Sequence, residues 1–355
     1  MRVAGLIFTL LTVLLFSCES NHAPKRTARK LEVTGKVGEI LIVCDNAIWE
    51  SDIRKALDSS LTQWIMPYFP DVATFELVHK TPSHFTQGVK RWRNTLFLTI
   101  DPNYKGEQGK IEQRENVWAY GQMVIDIVAK DFNQLEQTCK YGLDEVHDIF
   151  DQYEWKRLIR QFKQNNNKVV REKIEKNFGI DLVLPSNSKL VTTRKNFYRI
   201  EFPAGSRPIE FAGGGGQDPG TIFSGLMIYQ FDYIDSSQLN LDQILKDRDT
   251  MLKYNVPHEI EGLYMGTQYD KRIYPEGNWV KNESETINGV EVRGMFMFTG
   301  KPIHSTGGAF WSYHFINPGT KKIISLSGYV DAPPTASWTQ PLREIQAILR
   351  SVEIK

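Results

Sequence analysis

The balance of apolar and polar positions changes character several times along the chain. Residues 3–16 are almost wholly apolar, and residues 19–30 hold almost nothing that could be buried. From residue 38 short apolar runs begin to alternate with helical spacing. The run 38–45 (GEILIVCD) is continuous and short, the pattern of a fully buried strand. Behind it Trp49, Ile53, Ala56, Leu57, Leu61, Trp64 and Ile65 recur at three and four, which predicts a helix over 48–66 stopped by Pro67. Further strands are expected at 74–79, 95–100 and 117–129, with a short helical segment at 83–90. Asp131 is placed to cap a helix that begins at 132 and runs to about 162. Leu135, Cys139, Leu143, Val146, Ile149 and Phe150 share one of its faces.

The run Gln164-Asn165-Asn166-Asn167 interrupts this pattern, either as a domain boundary or as an exposed turn within one long helix. A shorter helix over 169–178 ends at Gly179, a good C-terminal stop. Beyond it strands dominate: 180–184, 190–193, 197–202, 221–233, 263–269, 279–286, 290–299, 309–316 and 321–330. One helix, 241–252, stands among them with Leu241, Ile244, Leu245 and Leu252 inward. Asn288-Gly289 is the strongest short hairpin signal, and Pro318-Gly319 marks another turn. An amphipathic helix over 336–352 closes the chain, with Leu342, Ile345, Ile348, Leu349 and Val352 on its apolar face. The fold class expected is α+β: an N-terminal α/β domain at 35–165 and an α+β domain of antiparallel strands at 166–355.

The N-terminus gives an address. Arg2 precedes the apolar run, which is too short for a comfortable membrane span, and Leu15-Phe16-Ser17-Cys18 has the form of a lipobox. Leu15-Phe16-Ser17 is a poor small-x-small cleavage site, so lipidation of Cys18 is preferred over an ordinary secretory signal or an uncleaved anchor. Residues 1–18 then form the signal, and residues 19–34 a flexible tether. Lys25, Arg26, Arg29 and Lys30 in that tether read as a solvated linker, with anionic headgroups as the other option. Glu19, not Asp, follows the cysteine, which points to the outer membrane by analogy with sorting in other bacteria.

Composition narrows the function by exclusion. Removing residues 1–18 takes away one basic residue and no acidic one, so the mature chain carries 42 of each. A nucleic-acid binder would show a basic excess. With Cys18 lipidated, Cys44 and Cys139 remain; a disulfide is conceivable, and two buried free thiols is the preferred reading. No CxxC or Cys/His cluster calls for zinc, and no motif demands a cofactor.

Four features are candidates for chemistry. Asp45 and Asn46 follow the first strand, where open α/β sheets bind ligands, although capping of the next helix is the preferred reading. Residues 211–220 (FAGGGGQDPG) could approach an anion closely, but they lack the P-loop Lys and read better as a connection between strands. His304 and Ser305 sit together in a loop at 301–308, without the GxSxG or HExxH context of a hydrolase. His314 alternates with Tyr313 and Phe315 and reads as a sheet-surface residue. Trp279, Trp311, Tyr313 and Trp338 either line a groove or pack the sheet.

The lipobox, the segment GEILIVCDNAIW, the segment WAYGQMVIDIVAKD and the sheet-rich second half resemble a family of Bacteroidetes-type lipoproteins defined only as a domain of unknown function. The element order of the second half and its ending SLSGYVDAPP…PLREIQAILRSVEI look like the PsbP-like α+β sandwich. The resemblance implies lipid anchoring and an envelope location, with no activity attached. The expectation is therefore a lipid-anchored envelope protein facing the periplasm or cell exterior. It would act as a non-enzymatic binding or assembly factor for envelope proteins or glycans. A hydrolase of an envelope ester or amide, built on His304 and Ser305 or on Cys44 and Asp45, is the first alternative. A small-ligand carrier, which requires an apolar cavity of several hundred Å3, is the second.

Overall fold

The structure, a computed structural model, describes residues 31–202, 222–301, 307–332 and 337–355. The lipobox, residues 19–30 of the tether, the glycine run, His304 and Ser305 lie outside the described residues. Glu32 and Thr34, at the end of the expected tether, bridge to Tyr120 and Trp92.

The first apolar run is β1 (Glu39–Val43), buried along its whole length. It lies inside a five-stranded sheet with β2 (Glu76–Lys80), β3 (Asn94–Ile100), β4 (Lys110–Glu115) and β5 (Met123–Ala129), in the order β2-β1-β3-β5-β4. All pairings are parallel except β4 with β5. The helix expected over 48–66 is two pieces, α1 (Asn46–Trp49) and α2 (Asp52–Leu61). Ser51 breaks it: its hydroxyl accepts from the Ile53 amide and so caps the second piece. Trp64 is exposed, and Ile65 turns away into the core of the second unit. The helix expected at 83–90 is only a 3-10 turn at Pro82–His84. The strand expected at 117–129 starts at Met123, because residues 116–122 form the return from β4.

From Asp131, whose carboxylate accepts from the Gln134 amide, α3 (Phe132–Gln164) runs 33 residues, about 50 Å at 1.5 Å per residue. Its first half packs with α2 on Ile40, Ile42 and Cys44. The Asn run is a true break: Asn165 ends α3, and Asn167 caps α4 (Lys168–Phe178), which closes on Gly179 at φ 65°.

The second unit is an antiparallel sheet between two helical layers. After β6 (Ile180–Asp181) come β7 (Lys189–Arg194), β8 (Phe197–Phe202) and β9 (Phe223–Asp232). Then follow α5 (Leu241–Asn255), β10 (Leu263–Thr267), β11 (Glu276–Lys281), β12 (Asn288–Gly300), β13 (Gly307–Asn317), β14 (Lys322–Asp331), α6 (Thr339–Arg350) and β15 (Glu353–Ile354). The order is β10-β12-β13-β14-β9-β8-β7, with β11 also on β12; only two residues of the strand expected at 180–184 pair, and they pair with β15. Alternation sorts side chains between the faces. Trp311, Tyr313, Phe315, Leu326 and Leu226 face α6, α4 and the end of α3. Phe310, Tyr329, Met227 and Tyr229 face α5. The β11–β12 hairpin exists, but Asn288 and Gly289 lie inside β12, opposite Lys281 and Val280. Asn282 makes the turn instead: its side-chain oxygen accepts from the Ile287 amide and its amide donates to the Val352 carbonyl.

The two units share elements. The second half of α3 belongs to the larger core, as do Ile65, Tyr68 and Val72 from the α2–β2 connection. The Tyr68 hydroxyl donates to the Phe310 carbonyl at 3.0 Å, and Arg343 of α6 donates to the Thr74 carbonyl at 2.9 Å and pairs with Asp151 of α3.

Candidate ligand-binding groove

At the carboxyl end of β1, Asp45 and Asn46 are both exposed. The Asp45 carbonyl accepts from the Ile48 and Trp49 amides, but its side chain makes no capping bond, so capping holds for the backbone alone. Beside them Trp49 stacks on His79 at 4.4 Å, Arg54 lies 3.7 Å over the Trp49 ring, and a His79 ring nitrogen is 3.0 Å from the Cys44 carbonyl oxygen. The open cleft of about 720 Å3 at this end of the sheet is lined elsewhere, by Gln108, Lys130, Gln134, Thr138 and Tyr141 among others. Cys44 and Cys139 are free and buried in one core cluster. Burial pushes both thiols up to about 12, with Asp45 adding to the shift of Cys44. A protonated, sealed thiol is no nucleophile at neutral pH, which removes Cys44 from the hydrolase alternative.

The polar residues that converge do so in the second unit, on the sheet face under α5. His314, read from sequence as a surface residue, is instead buried. Register explains this: His314 pairs with Ser325, and Ser312 with Ser327, while Ser325 also stands opposite Tyr229. The two ring nitrogens of His314 lie 2.7 Å from Ser325 Oγ and 2.9 Å from Ser312 Oγ. Burial, and then the Arg248 charge, push its imidazole down to about 3, so it stays neutral. This Ser-His-Ser row ties β13 to β14 and is buried throughout, sealed from any substrate.

Arg248 reaches this patch from α5 and is 0% exposed. Its Nη1 donates to Thr267 Oγ1 at 2.9 Å and its guanidinium lies 3.8 Å over the Phe310 ring. Nε and Nη2 have no hydrogen-bond partner, and no carboxylate forms an ion pair with it among the described residues. Burial lowers its pKa to about 10, only partly offset by the field of Asp249 and the neighbouring tyrosines, so at neutral pH it remains a cation with no direct ion pair. Sequence reasoning missed it because one arginine in a helix reads as a solvated position. The available signal was its register: 248 falls on the stripe formed by Leu241, Ile244, Leu245 and Leu252.

A groove of about 510 Å3 opens beside this patch, between β8, β9 and α5. Phe197, Tyr229, Phe231 and Met251 make its apolar floor, and Arg194 and Lys195 stand on its rim. Arg194 is held by neutral partners, the Tyr254 carbonyl and the Asn255 side chain, so its charge is uncompensated by them. Asp247 is the acidic member, and burial raises its pKa. Tyr229 joins the two features, since it lines the groove and its hydroxyl feels both Ser325 and Arg248; burial pushes that hydroxyl up to about 12. Of the aromatics singled out by sequence, Trp311, Tyr313 and Trp338 pack the core, Trp279 is exposed, and none lines this groove. Among the described residues no group of three acidic, His or Cys side chains could hold a metal, and no helix is long and apolar enough to cross a membrane.

Residues 167–351, which contain the groove and the buried arginine, match the domain of unknown function DUF4837 over more than half of the 355 residues. The chain belongs to the DUF4837 family. Ahead of the DUF4837 part, residues 33–163 match a second domain of unknown function, DUF8532. No curated protein matches the sequence. Among solved structures, the Ran-binding protein Mog1p of Saccharomyces cerevisiae is similar at 10% identity over 50% of this chain and 90% of that one, with a TM-score of 0.29. LpqN of Mycobacterium tuberculosis, described as involved in cell envelope biogenesis, is similar at 16% identity over 49% of this chain and 81% of that one, with a TM-score of 0.26. Scores this low carry no argument about function.

Proposed function

We propose that this chain is a lipid-anchored protein of the bacterial cell envelope, of the Bacteroidetes lipoprotein kind, that acts by binding and not by catalysis. The anchor rests on Leu15-Phe16-Ser17-Cys18 behind the apolar run. The binding role rests on one observation above the others: an open apolar groove of about 510 Å3 with cations on its rim and a buried arginine without an ion pair beside it, within the field of the lining residue Tyr229. Small-ligand sites have this size and this mixture of apolar walls with few polar groups. The electrostatics select the ligand class. An apolar chain ending in an acidic group would cover Phe197, Phe231 and Met251 and bring its charge under the field of Arg194, Lys195 and Arg248. The carrier reading is thereby favoured over a purely scaffolding one. The Cys18 anchor would hold the groove close to a source of such amphiphiles, with the outer membrane as the preferred site.

Intact-mass analysis of the protein extracted from membranes tests the address. A diacylglyceryl-modified Cys18 as the first residue is expected; an unmodified N-terminus elsewhere would refute anchoring. Removing the Arg248 charge tests the groove chemistry. In Arg248→Met the fold should be as stable as the parent or more so, because a buried charge with no direct ion pair is replaced by an apolar chain. Binding of a fluorescent polyene fatty acid should weaken. Equal affinity in the variant would show that the buried cation plays no part in ligand binding.

A further inference from the structure

Segment 62–73, between α2 and β2, is built from two opposed sets of side chains. Ile65, Tyr68 and Val72 are buried in the core of the second unit. Between them Trp64, Met66 and Phe69 are 57%, 44% and 69% exposed. The backbone is held by a bridge between Trp64 and Ala73 and by bonds from the Ile65 amide to the Val72 carbonyl and the Thr74 amide to the Gln63 carbonyl. Three large apolar side chains within six residues are thus presented outward on a pinned support, the kind of concentration that marks a surface for an apolar partner.

The course of the chain says which partner. Residues 62–73 precede β2, and the described chain begins at Leu31, which is exposed and whose carbonyl accepts from Tyr120, ahead of β5. Both places lie at the amino end of the same parallel sheet, three strand spacings apart, about 14 Å. Residues 19–30 cannot span more than about 42 Å, so a lipid on Cys18 keeps this end near the bilayer. Trp and Phe suit the headgroup level. The sequence leading to Leu31 carries Lys25, Arg26, Arg29 and Lys30, and Lys90 and Arg91 flank the Thr34 bridge, against the acidic Glu32 and Asp71.

We propose that Trp64, Met66 and Phe69 form a membrane-docking surface that inserts into the interfacial region and fixes the orientation of the anchored protein. It rests on the anchoring reading, because three side chains bind a bilayer durably only with a second attachment. The test therefore supplies the attachment artificially, and the mass of Cys18 reports on natural anchoring separately. The chain from residue 19, carrying an N-terminal hexahistidine tag, is bound to phosphatidylethanolamine/phosphatidylglycerol vesicles containing a nickel-chelating lipid. An environment-sensitive NBD dye is attached to the single exposed thiol of Phe69→Cys or Trp64→Cys, with Tyr141→Cys at the opposite end of the sheet as control. Cys44 and Cys139 are buried and will not take the label. The dye at 69 and 64 should shift to the blue and be quenched by brominated acyl chains, and the dye at 141 should do neither. No shift at 69 or 64 on tethered protein, or an equal shift at 141, would overturn the proposal; the former would leave the patch to a protein partner.

Discussion

Two buried ionisable residues carry opposite lessons about charge. Glu154 on α3 is fully buried, and burial alone would raise its pKa. The Arg157, Arg93 and Arg343 charges and a 2.6 Å bond from Asn94 reverse that and hold the carboxyl at about 2. Glu154→Gln would strand these arginines, and a loss of about 3–5 kcal/mol is expected by urea denaturation at pH 7. His314 is held neutral, with its pKa at about 3 against 6.5 when unfolded. The unfolded chain therefore takes up a proton below pH 6.5 that the native state refuses until about pH 3, so stability falls as the pH drops through that window. Glu154 acts in the same direction, but from 4.5 downward to about 2. Between pH 7 and pH 5 His314 alone of the two costs about 2 kcal/mol. His314→Gln should abolish that part of the pH dependence, as read from denaturation midpoints; an unchanged slope would mean that the imidazole is not sealed.

At the scale of elements, the inner strands of the second half were readable because each is covered on both faces and so carries a long run of buried, largely apolar residues. β4 was not, since KIEQRE is an edge strand with mostly exposed side chains and pairs only with β5. The break at Ser51 escaped notice because apolar spacing continues across it, while Trp64 points outward. The closing helix was legible from its stripe, but what it rests on was not. A Cβ on Gly328 of β14 would stand 2.2 Å from a side-chain carbon of Ile345 on α6, so the missing side chain sets how closely helix and sheet approach. Gly328→Ala should cost about 1–3 kcal/mol through overpacking, and pairing it with Ile345→Ala, which removes the γ2 methyl that the new Cβ would meet, should cost less than the sum of the two single losses. Additive losses in the double variant would contradict this contact. None of the described residues singled out by sequence as a site lines the groove, which arises from β8, β9 and α5, whose meeting no local pattern reveals.

The whole molecule is two family domains on a shared frame. α3 is common to both cores, Tyr68 of the first unit bonds to β13 of the second, and Arg343 returns the contact from α6. A single cooperative thermal transition is therefore expected in calorimetry, and two separated transitions would show that the joint is weak. That rigidity gives meaning to both outward features, since a pinned apolar patch at one end can set the direction in which the groove opens. The groove remains the centre of the account, and direct titration with the fluorescent polyene fatty acid decides it. The chain from residue 19 should bind saturably. Thr250→Trp, which fills the groove from an exposed position on α5, should weaken binding by about tenfold or more with the fold intact. Failure of the parent to bind, or undiminished binding by Thr250→Trp, would contradict it.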